Sequence, residues 1–136
     1  MNVMIMGCGR VGARVAGILE AQGHNVTVLD MNPAAFHRLP EGFRGKKAIG
    51  NGMDGPVLER FGIREMDAFM ALTQGDNRNY FGSMMAKEIY GIPRVLCRVY
   101  DPVREQIFHE LGLETFSPTS LGAQVMVDML TQEKGR

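Results

Sequence analysis

The chain has 136 residues, 45% of them hydrophobic and 22% charged, and its 15 Lys and Arg residues balance its 15 Asp and Glu residues. This composition is typical of one soluble globular domain and argues against direct membrane insertion, because no apolar run approaches the roughly 20 residues that cross a bilayer. The zero net charge argues against nucleic acid as a partner, because non-specific binding to phosphate backbones depends on a basic excess.

Short apolar or β-branched runs alternate with longer helical stretches along the chain. The predicted strands are residues 2–6, 25–30, 46–49, 67–72, 94–100 and 114–116. The predicted helices are residues 10–22, 33–39, 54–61, 76–90, 102–111 and 118–132. Several strands are nearly continuous hydrophobic runs, which indicates burial on both faces, as in a parallel sheet covered by helices. The sequence therefore predicts an α/β fold, a doubly wound parallel six-stranded Rossmann-like sheet of order 3-2-1-4-5-6 in a single domain over residues 1–136.

Residues that favour helix ends support these boundaries. Four glycines follow predicted helices at positions that suit a left-handed C-cap: Gly23, Gly62, Gly91 and Gly112. Three polar residues that are good N-caps precede prolines: Asn32, Asp101 and Ser117.

The clearest functional motif is GCGRVG at residues 7–12, after a predicted strand and at the start of a helix. Gly7 permits a tight turn, Gly9 lets backbone amides approach a phosphate, and Gly12 allows the helix to pack closely on the strand. Asp30 ends the second strand, where a carboxylate accepts hydrogen bonds from the ribose hydroxyls of an adenosine nucleotide. The alternative interpretation is a glycine turn without a ligand and an aspartate that caps a helix.

Asp30 also argues against NADP as the ligand. Its carboxylate repels a ribose 2′-phosphate, and no arginine follows it closely, since the next residues are Met31, Asn32 and Pro33. We therefore expect an adenosine with a free ribose.

Seven segments carry a family resemblance: residues 7–12, 23–30, 50–54, 58–63, 66–79, 94–100 and 111–124. Together they resemble the TrkA N-terminal (RCK/KTN) domain, the cytoplasmic nucleotide-sensing module of bacterial potassium uptake systems and of some potassium channels. The resemblance implies a regulatory protein, not an enzyme, with ATP, ADP, AMP or NAD(H) as its ligand. It also implies a membrane potassium transporter subunit as partner, a homo-oligomer of at least two chains, and a cytoplasmic location peripheral to the inner membrane.

The resemblance also implies roles for individual residues. Arg10 would reach toward the phosphate chain. Asn51 stands where the family usually has an acid near the adenine ring, and an amide could accept from the adenine amino group and donate to a ring nitrogen. Residues 73–79 resemble the stretch that lines the nucleotide cleft where the sheet order reverses. Arg98 resembles a basic residue near the phosphate end, and the alternative is that it pairs with a carboxylate such as Asp76.

The predicted nucleotide site combines the motif with these implied roles. It consists of Gly7, Cys8, Gly9, Arg10, Val11, Gly12, Asp30, Met31, Asn51, Gly52, Thr73, Gln74, Asp76, Asn79 and Arg98. We predict no catalytic residue. We also predict no metal site, because His24, His37 and His109 lie far apart without metal-ligand spacing.

The two cysteines, Cys8 and Cys97, are too few and too widely spaced for a disulfide framework or a four-ligand zinc site. We therefore expect a protein of the reducing cytoplasm. Cys8 lies inside the predicted phosphate turn, where a helix N-terminus could lower its thiol pKa and make it reactive. We favour the alternative, in which a small apolar side chain is simply packed there.

Members of the resembled family usually carry a second, C-terminal domain for another ligand. That domain is absent from this chain, which stops at Arg136, so we expect either a single-domain member or a part of a longer protein. The last predicted helix has an apolar face formed by Leu121, Val125, Met126, Met129 and Leu130. In the family the corresponding helix crosses between subunits. We therefore favour docking of this helix in a dimer over packing on its own sheet.

Two other functions stay open from the sequence. An NAD-dependent oxidoreductase fragment would need a substrate domain and a proton donor near the nicotinamide, and neither a following domain nor a Tyr-x-x-x-Lys pair accompanies the motif. A scaffold module with a vestigial site would show no dependence on nucleotide. The intact set of Gly7, Gly9, Gly12 and Asp30 argues against the scaffold.

Overall fold

The computed structural model describes residues 1–132, so that Arg136 lies outside the described part. Six strands form one all-parallel sheet in the order β3-β2-β1-β4-β5-β6, which confirms the predicted fold class. The strands are β1 (Asn2–Met6), β2 (Asn25–Asp30), β3 (Lys46–Ile49), β4 (Ala68–Ala71), β5 (Arg94–Arg98) and β6 (Glu114–Phe116). The α-helices are α1 (Arg10–Ala21), α2 (Gly55–Arg60), α3 (Asp76–Met84), α4 (Pro102–Glu110) and α5 (Pro118–Thr131).

Three predicted elements have a different form in the structure. The segment Pro33–Arg38 is a 3₁₀-helix, the tighter form that short connecting segments adopt, and α3 continues into a π-helix over Met85–Ile89. β5 stops at Arg98, two residues before its predicted end, because the N–H of Tyr100 donates to the side chain of Asp76 at 2.8 Å instead of to a neighbouring strand.

The predicted helix ends are confirmed. The four C-cap glycines have positive φ angles between 63° and 92°: Gly23, Gly62, Gly91 and Gly112. The three predicted N-cap side chains accept a backbone N–H from the first turn of their helices: Asn32, Asp101 and Ser117. These local contacts satisfy N–H groups that a helix start leaves without an intrahelical partner.

The sheet is buried on both faces because successive strand side chains alternate between two cores. Met4 and Met6 point into the core on one face, where Leu58 of α2 and Phe108 of α4 also pack. Val3 and Ile5 point into the opposite core, which is covered by α1 and the 3₁₀-helix. The central strands are thereby buried on both faces, and the loops that form the functional site start from their carboxyl ends.

Helix α5 does not pack on the sheet of its own chain, since none of its side chains is buried. Its apolar residues stay open to solvent, with Leu121 53% and Leu130 85% exposed. Met70 and Leu96, on the sheet face that carries α1, are only half-buried. The alternative in which α5 covers its own sheet is therefore wrong, and the helix presents an unpartnered apolar surface.

Candidate functional site

A cleft of about 680 Å³ opens at the carboxyl ends of the central strands, where the chain continues to one side after β1 and to the other after β4. In open α/β sheets ligands bind at this switch point. Twelve of the predicted site residues line the cleft: Gly7, Cys8, Gly9, Arg10, Val11, Asp30, Met31, Asn51, Gly52, Thr73, Gln74 and Arg98. Three do not: Gly12, Asp76 and Asn79.

The glycine-rich turn joins β1 to α1. Two of its three glycines are required by the backbone, and the third leaves space for a ligand. Gly7 has a φ of +108°, and a Cβ added at Gly12 would lie 2.0 Å from the carbonyl oxygen of Gly7, so both positions are required by the backbone itself. Apart from its two chain neighbours, a Cβ at Gly9 would meet no atom of residues 1–132 within 4 Å. The open side of Gly9 therefore leaves room for a ligand at the start of α1, where backbone N–H groups favour an anion.

Asp30 connects the end of β2 to this turn. Its Oδ2 accepts the N–H of Cys8 at 2.8 Å, and its Oδ1 accepts the N–H of Asn32 at 2.8 Å. The carboxylate thus orients the glycine-rich turn as well as facing the cleft. It still has acceptor capacity for ribose hydroxyls, because a carboxylate offers about four lone-pair sites.

Asn51 and Gly52 line the cleft just after β3. The Oδ1 of Asn51 accepts the N–H of Met53 at 2.9 Å, so this oxygen stabilises the local turn and keeps one lone pair for another donor. A Cβ at Gly52 would lie 2.2 Å from the sulfur of Met6, which explains a glycine at this point of close approach.

Asn79 lies behind the cleft and holds its wall together. Its side chain is fully buried, and its Oδ1 accepts from the N–H of Thr73 at 2.9 Å and from the hydroxyl of Thr73 at 2.6 Å. Its Nδ2 donates to the carbonyl oxygens of Thr73 and Arg98, at 3.0 Å each. One buried amide therefore ties the loop after β4 to the end of β5.

Asp76 likewise positions a loop and does not face the cleft. It is only 7% exposed, and its oxygens accept the N–H groups of Tyr100 at 2.8 Å and Asp101 at 3.2 Å. The cation beside it is Arg104, at 3.7 Å. The alternative pairing of Arg98 with Asp76 is therefore wrong: the Arg98 guanidinium lies 4.3 Å from the ring centre of Tyr100.

Four arginines line the cleft: Arg10, Arg38, Arg78 and Arg98. Among residues 1–132, none of them lies within 4.0 Å of a carboxylate oxygen. The Nε of Arg98 is also buried and has no hydrogen-bond partner in this part of the chain. Although the chain is neutral as a whole, the cleft carries a local excess of positive charge that suits an anionic ligand.

Sequence reasoning missed several of these lining residues. Arg38 reaches the cleft from the end of the 3₁₀-helix, eight residues after Asp30, so the absence of an arginine close in sequence does not mean its absence in space. The Asn32 N-cap signal, which places a helix directly after β2, is the sequence feature that could have located Arg38. Arg78 and Tyr100 follow the strand ends by a few residues and also line the cleft.

The TrkA-N domain family model matches residues 3–118. The chain belongs to the TrkA-N family. It is 41% identical over 130 residues to a Trk system potassium uptake protein TrkA of Streptomyces coelicolor, covering 96% of this chain and 58% of that protein. It is 36% identical over 111 residues to a TrkA homologue of Pyrococcus abyssi, covering 82% of this chain and 49% of that protein. The chain thus spans about half the length of these relatives.

Solved structures share the TrkA-N fold at low sequence identity. The TrkA-N domain of the inner membrane protein ybaL from Escherichia coli matches with a TM-score of 0.84 and 15% identity, over 95% of this chain and 96% of that one. GsuK bound to ADP matches with a TM-score of 0.81 and 20% identity, over 96% and 34%. The Kef CTD of Shewanella denitrificans in its AMP-bound form matches with a TM-score of 0.75 and 20% identity, over 98% and 84%.

Both cysteines of this TrkA-N domain are fully buried. Burial raises the pKa of the Cys8 thiol, and the neighbouring carboxylate of Asp30 raises it further. Burial likewise raises the pKa of the Cys97 thiol to about 11. Since the thiolate is the reactive form, these surroundings support packing of Cys8 over reactivity.

We expect neither thiol to react with iodoacetamide at pH 7.5 in the folded protein, and both to react within minutes in denaturant. Mass spectrometry of intact protein sampled over time measures both rates. Fast labelling of Cys8 without denaturant would show that the turn opens or that the thiol is activated.

Proposed function

We propose that this chain is the nucleotide-binding regulatory domain of a potassium uptake system, and that it binds ATP, ADP, AMP or NAD(H) without turning the nucleotide over. The cleft carries the proposal. It brings together the open side of Gly9, the carboxylate of Asp30 and arginines without carboxylate partners in one space. The AMP-bound form of the Kef CTD and the ADP-bound form of GsuK, which share this fold, support this class of ligand.

The groups around the cleft favour binding over chemistry. A dehydrogenase needs a proton donor near the substrate. The Asp30 carboxylate is engaged by two backbone N–H groups, and the Cys8 thiol is buried. The volume that the cleft leaves open argues equally against a scaffold whose site has been filled in.

We further propose a membrane potassium transporter subunit as partner, with the chain on the cytoplasmic side in a homo-oligomer. Relatives named Trk system potassium uptake proteins support the transporter. Over residues 1–132 no helix is long and apolar enough to cross a membrane. A nucleotide that binds one arrangement of the oligomer more tightly than another would shift the equilibrium between them, and this is how the domain would regulate transport.

Isothermal titration calorimetry of protein stripped of nucleotide, with ATP, ADP, AMP and NADH, tests the binding. We expect Asp30→Asn to weaken affinity by about 1.5–3 kcal/mol, the usual contribution of a hydrogen bond to a charged group. The variant replaces one carboxylate oxygen by an NH2 donor, so it offers the ribose fewer acceptor sites, and either the Cys8 N–H or the Asn32 N–H then faces another donor. Asp54→Asn, an exposed aspartate outside the cleft, is the matched control and should bind as the unmodified protein does. Equal affinity of the Asp30 variant would refute the site.

The oligomer is tested through the apolar surface of α5. Because no α5 side chain is buried within the chain, the paired change Val125→Asp and Met129→Asp should leave the domain folded. We expect it to yield a monomer in sedimentation velocity experiments where the unmodified chain forms a dimer or larger species. A variant that keeps its oligomeric state would exclude α5 from the interface.

A further inference from the structure

The cleft does not end at the phosphate turn. A second hollow of about 410 Å³ adjoins it and shares Gln74, Arg78 and Tyr100 with its wall. The adenosine side of the cleft is set by Asp30 on β2, and the shared residues follow β4 and β5 on the far side of β1. A ligand that extends beyond its first phosphate therefore points toward Arg78.

The position of Arg78 is defined by its contact with Gly75. A Cβ added at Gly75 would lie 2.8 Å from the Nε and 3.2 Å from Nη2 of Arg78, so the guanidinium lies against the Gly75 backbone, beside the cleft. Any larger residue at position 75 would displace it.

Two arginines line the second hollow, Arg78 and Arg104. In the described part of the chain only Arg78 has no carboxylate partner. Arg104 lies 3.7 Å from Asp76 and 3.9 Å from Asp101, and is neutralised by them. The oxygens of Asp76 are themselves engaged by two backbone N–H groups. An anion in this hollow therefore meets an unneutralised guanidinium.

The lining of this region favours phosphate over a nicotinamide ring. Apart from Tyr100, the second hollow is lined by glycine and polar or charged residues. One face of the Tyr100 ring already carries the Arg98 guanidinium at 4.3 Å. Guanidinium groups hold phosphate oxygens through charge-assisted hydrogen bonds that are about twice as strong as neutral ones.

On the basis of the proposed function, we propose that Arg78, which lines both the cleft and the second hollow, forms a distal phosphate subsite. Arg78 is then a specificity-determining residue that makes the cleft favour a nucleoside diphosphate or triphosphate over the monophosphate. AMP carries no phosphate that reaches this subsite and is bound by the turn alone.

Calorimetric titration of the full chain with ATP, ADP and AMP at one ionic strength tests this subsite. We expect Arg78→Gln to weaken ATP and ADP binding by about tenfold or more, in line with the loss of charge-assisted hydrogen bonds, and to leave AMP affinity within about twofold. Gly75→Ala, which displaces Arg78 without removing its charge, should weaken ATP binding in the same direction. Arg44→Gln, an exposed arginine at the opposite end of the sheet, removes the same charge and should change none of the affinities.

An equal loss for ATP and AMP, or unchanged ATP affinity in Arg78→Gln, would overturn the subsite while the proposed function stands. A loss for NADH that exceeds the loss for ATP would assign Arg78 to the nicotinamide half and would also overturn it. Failure of the unmodified chain to bind any nucleotide would overturn the proposed function and the subsite together. Because Arg78 is exposed and has no carboxylate partner in the described chain, its variants should unfold at the urea concentration of the unmodified protein.

Discussion

Gly12→Ala is expected to lower the free energy of unfolding by about 3 kcal/mol or more, at the upper end of what overpacking costs. Its new Cβ would lie 2.0 Å from the carbonyl oxygen of Gly7, and 3.0 Å from the Gly7 carbonyl carbon. Both are backbone atoms, so no side chain can rotate away, and α1 must move off β1. Urea denaturation followed by far-ultraviolet circular dichroism measures the change.

Gly9→Ala is the matched comparison within the same turn. Gly9 has a φ of −83°, which any residue adopts, and apart from its two chain neighbours its Cβ would meet no atom of the described residues within 4 Å. We therefore expect its stability to stay within about 0.5 kcal/mol of the unmodified protein, as for most surface substitutions. Its nucleotide affinity should fall about tenfold, equivalent to 1.4 kcal/mol, because the methyl group occupies the space that a phosphate needs.

Two results would contradict this division of tasks. If Gly9→Ala destabilises the fold as much as Gly12→Ala does, the open side of the turn is not open in solution. If Gly9→Ala binds nucleotide normally, the phosphates do not lie at this turn and the site assignment fails.

The second large effect is expected at Asn79. Asn79→Asp would replace the Nδ2 donor, which holds the carbonyl oxygens of Thr73 and Arg98, by an oxygen that repels them. Because the side chain is fully buried, we expect a loss of about 3 kcal/mol or more in the free energy of unfolding, as for a buried charge without a partner. The loop after β4 would detach from β5, and nucleotide affinity should fall with it.

Asn77→Asp makes the same chemical change two residues earlier in α3. Asn77 is exposed and lies in the first turn, where a carboxylate interacts favourably with the helix dipole. Its stability should be unchanged or slightly raised in the same urea experiment. Similar losses in both variants would mean that the amide of Asn79 does not hold the two strands together.

The six strands and the helices on both faces could be predicted because they follow from local patterns. The strand order followed from the doubly wound fold class that this alternation indicates. Continuous apolar runs mark strands buried on both faces, and a parallel strand needs a helical crossover to reach its neighbour. The C-cap glycines, such as Gly62 with a φ of +87°, occupy conformations that other residues adopt at a cost, so the sequence alone marks the helix ends. The glycine-rich turn could be predicted for the same reason, since Gly7 also has a positive φ, of +108°.

The boundaries that differ were decided by contacts between distant residues. β5 ends at Arg98 because the N–H of Tyr100 finds the Asp76 side chain, 24 residues away. The sequence pattern around a strand end contains no information about hydrogen-bond partners that lie far away along the chain.

The sequence by itself determined the fold class, the glycine-rich turn after β1 and the position of Asp30 at the end of β2, because each depends on backbone conformation and on residues close along the chain. The tertiary structure alone decided which side chains share the cleft. It brought Arg38 and Arg78 to the wall and placed Asn79 behind it as a clamp. It also decided that the apolar side chains of α5 are not buried against the rest of the described chain. These outcomes depend on how elements far apart in sequence are placed in space, and on which buried polar groups then find partners.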